Sequence, residues 1–209
     1  MNEFLAKSLS SLTATNDWAA IMPEILLALL ALSLLVAEMV LPRNSQQALI
    51  PRLAIWGQVV ILVTTLFNPD FCLIEEQRFF SGMIAQTEVS QIMRGFFLLS
   101  SILVCYLGKV YLSKQQLPRT EFFHLVILIA AAMMLLVQSA HFVMLFVALE
   151  LVTITFYVLV AYCRTSSFSL EAGLKYLVLG AISFGDFIIR YSSYFTALLG
   201  NPEMSFSST

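Results

Sequence analysis

Charge is the scarcest resource in this sequence. Only 11% of its 209 residues are Asp, Glu, Lys or Arg, against about a quarter in an ordinary soluble domain. The shortage excludes a soluble fold of this size, because surface-to-volume scaling leaves much of any such chain facing water. The formal net charge is −2 and Lys and Arg form no dense cluster, so the electrostatic footprint of a nucleic-acid-binding protein is missing. Cysteine is scarce too. Cys72, Cys105 and Cys163 stand far apart, without a CxxC or a neighbouring histidine, so neither a disulfide framework nor a metal site is expected. Cys105 and Cys163 fall inside or at the end of apolar runs, where cysteine serves as a small packing residue. The first 18 residues carry Glu3 and Asp17 and lack a basic region followed by an apolar core, so they do not read as a signal peptide. There is no GxGxxG, no phosphate loop and no cysteine-cluster ligation motif, hence no recognisable site for a nucleotide, flavin or iron–sulfur centre.

Apolar residues fill the space that charge leaves. They make up 59% of the chain, with 17 Phe and nine Met, a composition suited to a solvent that is itself apolar. A helix needs about 20 apolar residues to cross a roughly 30 Å hydrocarbon core. Six runs approach that length, at about 22–41, 48–67, 95–112, 122–138, 142–162 and 169–189. The fold expected is all-α, a polytopic bundle of about six transmembrane helices forming one domain over 1–199, with 200–209 as a disordered tail. Asn16 and Asp17 are candidate caps for the first helix, Pro23 sits where a first-turn proline is tolerated, and Pro42 ends it. The second run is the weakest, with Pro51 and Arg52 near its start. Asn68 to Arg94 forms the one long polar connection, expected as a surface loop. Ser139, Ala140 and His141 alone separate runs four and five, so those helices must be antiparallel neighbours.

Loop charge gives an orientation. With the N-terminus outside, Arg43, Arg52, Lys109, Lys114, Arg119 and Arg164 lie inside, and Lys7, Arg78 and Arg94 lie outside. Six against three favours that arrangement.

Charge inside a bilayer costs about 2.5–3.5 kcal/mol per residue on insertion scales, so each such residue is a functional candidate. Glu150 sits in the middle of HFVMLFVALELVTITFYVLV with no basic residue near it on its own helix. Thr153 and Tyr157 give it a weakly polar stripe, and the plain alternative is a protonated carboxyl bonded to a neighbouring helix. Lys175 lies two turns into the sixth run, with Glu171 four residues before it, the favourable order for a helical ion pair. Snorkelling to the interface is its plain alternative. Together Glu150 and Lys175 have the chemistry needed to hold and release a proton. His124 and His141 read as interface residues at opposite faces. Glu24 and Glu38, near the two ends of the first helix, are expected to be solvated there. Gly173 and Gly180 would let the sixth helix approach a neighbour closely.

The segments MPEILLALLALSLLVAEMVLP and EFFHLVILIAAAMMLLVQSAHFVMLFVALELVTITFYVLVAYCRTSSFSLEAGLKYLVLGAIS resemble the subunit N family of NADH-quinone oxidoreductases. These are the bacterial counterparts of mitochondrial subunit 2 of respiratory complex I. The PE at the start of helix one, the LF..LEL....Y.L core of helix five and the S.EA..KY...GA opening of helix six carry the resemblance. It implies the N-terminal part of a 14-helix antiporter-like subunit built from inverted repeats. It further implies a role in proton translocation coupled to electron transfer from NADH to quinone. Glu150 and Lys175 then match the family's proton-transferring glutamate and lysine. No cofactor is implied on this chain, since NADH and quinone are used by the complex. The implied partners are the other membrane subunits and the lipid bilayer, in a bacterial inner (plasma) membrane. After GAIS the family pattern continues apolar, whereas this chain reads FGDFIIRYSSYFTALLGNPEMSFSST. Asp186 and Arg190 are spaced to pair, and a truncated or frameshifted reading frame is the simpler account. Such a chain is expected not to translocate protons by itself. A small membrane protein of structural or assembly role, or a cation/proton antiporter subunit of the same superfamily, is the alternative.

Overall fold

A computed structural model describes residues 18–67, 77–80, 82–115, 120–163 and 166–200. The candidate caps Asn16 and Asp17, and the tail beyond Gly200, lie outside these. A 3-10 turn, Trp18–Ile21, leads into α1 (Met22–Val40), α2 (Arg43–Leu66), a β-hairpin of β1 (Gln77–Phe79) and β2 (Ile84–Gln86), α3 (Glu88–Gln115), α4 (Thr120–Val137), α5 (Phe142–Val160) and α6 (Ser167–Gly200). Six α-helices are therefore present among the described residues, as expected. Five are long and apolar enough to cross a membrane, while α4 contributes a shorter apolar stretch, Glu121–Val137. By its internal packing the chain divides into two compact units, the first ending at Phe156 and the second beginning at Tyr157.

In the first unit α4 packs against α1, α2 and α3. Helical spacing explains why. Leu27, Ala31 and Leu34 of α1 face Phe123, Ile127, Ala131 and Met134 of α4, with Ile50, Ala54 and Ile61 of α2 and Leu98 and Cys105 of α3 completing one buried cluster. Within each set the residues are three, four or seven apart, which places them on one side of their helix. α4 also buries Val126, Ile129, Ala130 and Ala132, so it is enclosed on most sides. The other spans turn large apolar side chains outward, such as Leu29, Leu32, Leu53, Trp56, Leu103 and Leu107. Outward apolar and inward close-packed is the inversion a bilayer imposes.

α6 runs on to Gly200 where its run was expected to end near 189, and the structure differs from the sequence expectation at α2, at α3 and in the long connection for local reasons. α2 begins at Arg43 and carries Pro51 inside it; an interior proline is tolerated in a membrane helix because neighbouring groups satisfy the freed carbonyl. α3 begins at Glu88 and not near Gly95. Its start is fixed by a reciprocal cap: Ser90 N–H donates to Thr87 Oγ1 at 3.2 Å and Thr87 N–H donates to Ser90 Oγ at 2.9 Å, the capping-box arrangement with serine in the acceptor role. The connection expected as a surface loop, with room for a short interfacial helix, contains an antiparallel hairpin, with Gln77, Arg78 and Phe79 opposite Gln86, Ala85 and Ile84. Phe80 and Gly82, both with positive φ, turn it.

The hairpin is not left free. Ala85 N–H donates to Gln138 O and Ala140 N–H donates to Met83 O, both at 2.9 Å, so β2 pairs with the short turn between α4 and α5. Backbone groups that would otherwise be orphaned at the end of α4 are thereby satisfied.

In the second unit the close approach expected of the two glycines is seen. A Cβ on Gly173 would lie 2.6 Å from the Cβ of Ala161, and one on Gly180 would collide with the Tyr157 hydroxyl. Tyr157 and Tyr176 meet edge to face at 5.2 Å between ring centroids, and Ser169 Oγ donates to Val160 O at 2.9 Å.

Candidate functional site

Glu150 lies halfway along α5 and is half-buried. Thr153, one turn on, donates its hydroxyl to the Glu150 carboxylate at 3.3 Å and to the Glu150 carbonyl at 3.0 Å. The polar stripe expected on this face thus begins with a real contact.

Lys175 is in the second unit, on α6. Its ammonium donates to Glu171 at 2.6 Å, and both side chains are exposed. The expected i,i+4 pair is formed. Asp186 and Arg190 pair in the same way at 2.6 Å, so α6 carries two exposed ion pairs along a predominantly apolar helix. A free membrane face does not favour such groups.

The strongest polar constellation was not expected from the sequence. Glu24, read as a solvated end residue, is buried, and Arg94, counted as a loop charge, lies on α3 and is buried against it. The guanidinium is bidentate, with Nε donating to Glu24 Oε1 at 2.8 Å and Nη2 to Oε2 at 2.9 Å. Nη2 also donates to Ala20 O at 2.6 Å, and Nη1 to Gln91 Oε1 at 3.1 Å. Gln138, just past the end of α4, donates to Glu24 Oε1 at 2.5 Å. Gln86 of β2 joins through Ala20 O at 2.6 Å and accepts from Gln91 at 3.2 Å. One bidentate pair therefore ties together the 3-10 turn, α1, the hairpin, α3 and the end of α4. The fork geometry of arginine suits this role, since each N–H finds a fixed acceptor.

The signal for this pair was available. Helices one and three run in the same direction in any up-and-down bundle, so Glu24 at one start and Arg94 near the other lie on the same side of the membrane. Treating Arg94 as part of a loop hid it. At the opposite end of α1, Glu38 and His124 approach to 4.0 Å, so the residues read separately as interface groups meet across α1 and α4. Cys105 and Cys163 are free thiols; Cys72 lies outside the described residues.

Comparison with known proteins finds relatives of this chain. The family described as NADH:quinone oxidoreductase/Mrp antiporter, TM, matches residues 139–202. That span contains Glu150 and Lys175, and it runs on through Asp186 and Arg190, the stretch expected to break with the pattern. The NADH-quinone oxidoreductase subunit N 1 of Opitutus terrae is 51% identical over 189 residues, covering 90% of this chain and 37% of that protein. The NADH-quinone oxidoreductase subunit N of Desulfitobacterium hafniense is 36% identical over 181 residues, covering 87% and 36%. Among solved structures, a chain of the respiratory complex I from Thermus thermophilus with bound aureothin superposes with a TM-score of 0.65 at 26% identity, covering 84% of this chain and 37% of that one. The chain thus spans little more than a third of the length of the relatives it matches. Six helices, a membrane-protein surface and this likeness over nine-tenths of the sequence agree: the chain is an integral membrane protein, and over that length it is similar to the subunit N family of NADH-quinone oxidoreductases.

Proposed function

We propose that this chain works as a membrane subunit of a proton-pumping NADH-quinone oxidoreductase, contributing to proton translocation coupled to electron transfer from NADH to quinone. The observation that carries the proposal is the coincidence of two findings in one segment. Residues 139–202, which match the oxidoreductase and antiporter family, hold the half-buried Glu150 and the membrane-helix Lys175. In this reading Glu150 takes up and releases the proton, and Lys175 takes part in its transfer. Redox cofactors belong to other subunits, which deliver the driving force through the membrane arm.

The other membrane subunits of the oxidoreductase and the surrounding lipid are the partners in this reading. The location is the bacterial inner membrane with the N-terminus outside. Burial of Arg94 against Glu24 supports that orientation, because it removes one of three basic residues counted outside and leaves the inside excess larger. The subunit N relatives favour the oxidoreductase over a cation/proton antiporter.

A second reading has one observation in its favour. Lys175 already has Glu171 as partner at 2.6 Å, as a lysine that only anchors a helix would. Purification of the tagged chain from its native membrane tests the main reading. NADH-quinone reductase activity is expected to co-purify with it; recovery of the chain from active membranes without that activity would overturn the proposal.

A further inference from the structure

The interior of the first unit holds a polar cluster that belongs to neither ion pair. Gln58 of α2 is fully buried, and its Nε2 donates to Cys105 Sγ of α3 at 3.5 Å. Ser101 precedes Cys105 by one turn, the spacing that stacks two side chains on one helix face, and it too is buried, at 5% exposure. All three lie well inside the spans Leu49–Leu66 and Glu88–Leu112. Buried Ala54 and Ile61 flank Gln58 along α2, and buried Leu98 precedes Ser101 on α3.

Two polar atoms in this cluster, Gln58 Oε1 and Ser101 Oγ, have no hydrogen-bond partner among the described residues. Reversing the Gln58 amide does not repair this. The carbonyl would then accept from the thiol, and the amine would become the atom without a partner. An unmade bond of this kind costs about 1–3 kcal/mol for each buried group. Two such costs, one at Gln58 and one a helical turn from the Cys105 it touches, in helices otherwise packed with apolar residues, call for a ligand that both donates and accepts and is small enough to fit between helices.

We infer that Gln58, Ser101 and Cys105 form an internal water-binding site between α2 and α3, deep in the membrane-spanning part of the first unit. The Gln58 amide, the Ser101 hydroxyl and the Cys105 thiol supply the two to four polar partners a buried water requires. Water there accepts from one group and donates to the next, completing each. The site is seven residues along α3 from Arg94, about 10 Å of helix rise, so hydration reaches the level below the Glu24–Arg94–Gln138 network. It is a different place from the Glu150 and Lys175 segment and does not depend on how those residues act.

Water-edited solid-state NMR on the full 209-residue chain in liposomes, labelled with ¹⁵N-glutamine, tests the inference. The Gln58 side-chain resonance is identified as the signal lost in Gln58→Met, or in Gln58→Glu should the first variant fail to insert. Rapid magnetisation transfer from water to this amide is expected. Ser101→Ala should reduce that transfer severalfold, and Ser101→Thr, which keeps the hydroxyl, should restore it. A Gln58 amide that receives no water magnetisation would overturn the site, as would transfer that is indifferent to the Ser101 hydroxyl.

Discussion

Arg94 and Glu24, 70 residues apart in the chain, form a bidentate ion pair at 2.8 and 2.9 Å in the interior of the first unit. Removing one partner would leave the other charged, buried and unpaired, at a cost of about 3–5 kcal/mol. Arg94→Ala and Glu24→Ala are each expected to lower stability by that order in reversible unfolding from mixed micelles. The combination Glu24→Leu with Arg94→Met should recover most of the loss, because two apolar groups replace two charges. A pair of single variants as stable as the parent would show the pair to be dispensable.

The hairpin and the end of α4 share the same network through Gln138, which bonds Glu24 through its side chain and Ala85 through its carbonyl. Gln138→Ala removes a bond to a charged acceptor and is expected to cost about 1.5–3 kcal/mol. It should also speed hydrogen exchange at Ala85 and Ala140, whose amides pair with or beside that turn. Exchange unchanged at both amides would mean that the hairpin is held by other contacts.

Gly180 and Tyr157 test the packing of the second unit. A Cβ at residue 180 meets the Tyr157 hydroxyl, so Gly180→Ala should destabilise by about 1–3 kcal/mol, the range for overpacking. Adding Tyr157→Phe removes the obstructing oxygen and should recover a good part of the loss. If the two substitutions simply add, the two residues are not in contact.

Most of the architecture was legible because hydrophobic runs of membrane length are hard to mistake. The six runs became six helices, and the small-residue positions Gly173 and Gly180 marked a close approach correctly. Helix starts were less legible, since a cap such as Thr87–Ser90 looks like ordinary loop sequence. The Glu24–Arg94 pair was missed because its partners are remote in the chain and each has a plain local explanation. Glu150 stood out for the opposite reason, having no local explanation at all. Its single hydroxyl contact, to Thr153, was within reach of helical spacing alone.

Orientation has its own test. Reporter enzymes active only in the cytoplasm should be active when fused after Pro42, Leu117 or Thr165 and silent after Glu76. Activity after Glu76 would reverse the topology and move the Glu24–Arg94 network to the other side of the membrane.

Lys175 separates function from anchoring. In the oxidoreductase complex, Lys175→Arg is expected to impair pumping, because a guanidinium stays protonated where an ammonium need not. Lys175→Met should impair it further. Full pumping in Lys175→Met would reduce the residue to a helix anchor paired with Glu171.

The central claim is that Glu150 carries a proton, and NADH-driven proton uptake into inverted membrane vesicles tests it most directly. Glu150→Gln keeps the hydrogen bond from Thr153 but holds no titratable group, so it separates proton transfer from packing. We predict that the variant assembles into the complex at parental levels and loses most of its NADH-driven vesicle acidification. Acidification at the parental rate, with Glu150→Gln verified in the assembled complex, would contradict the account.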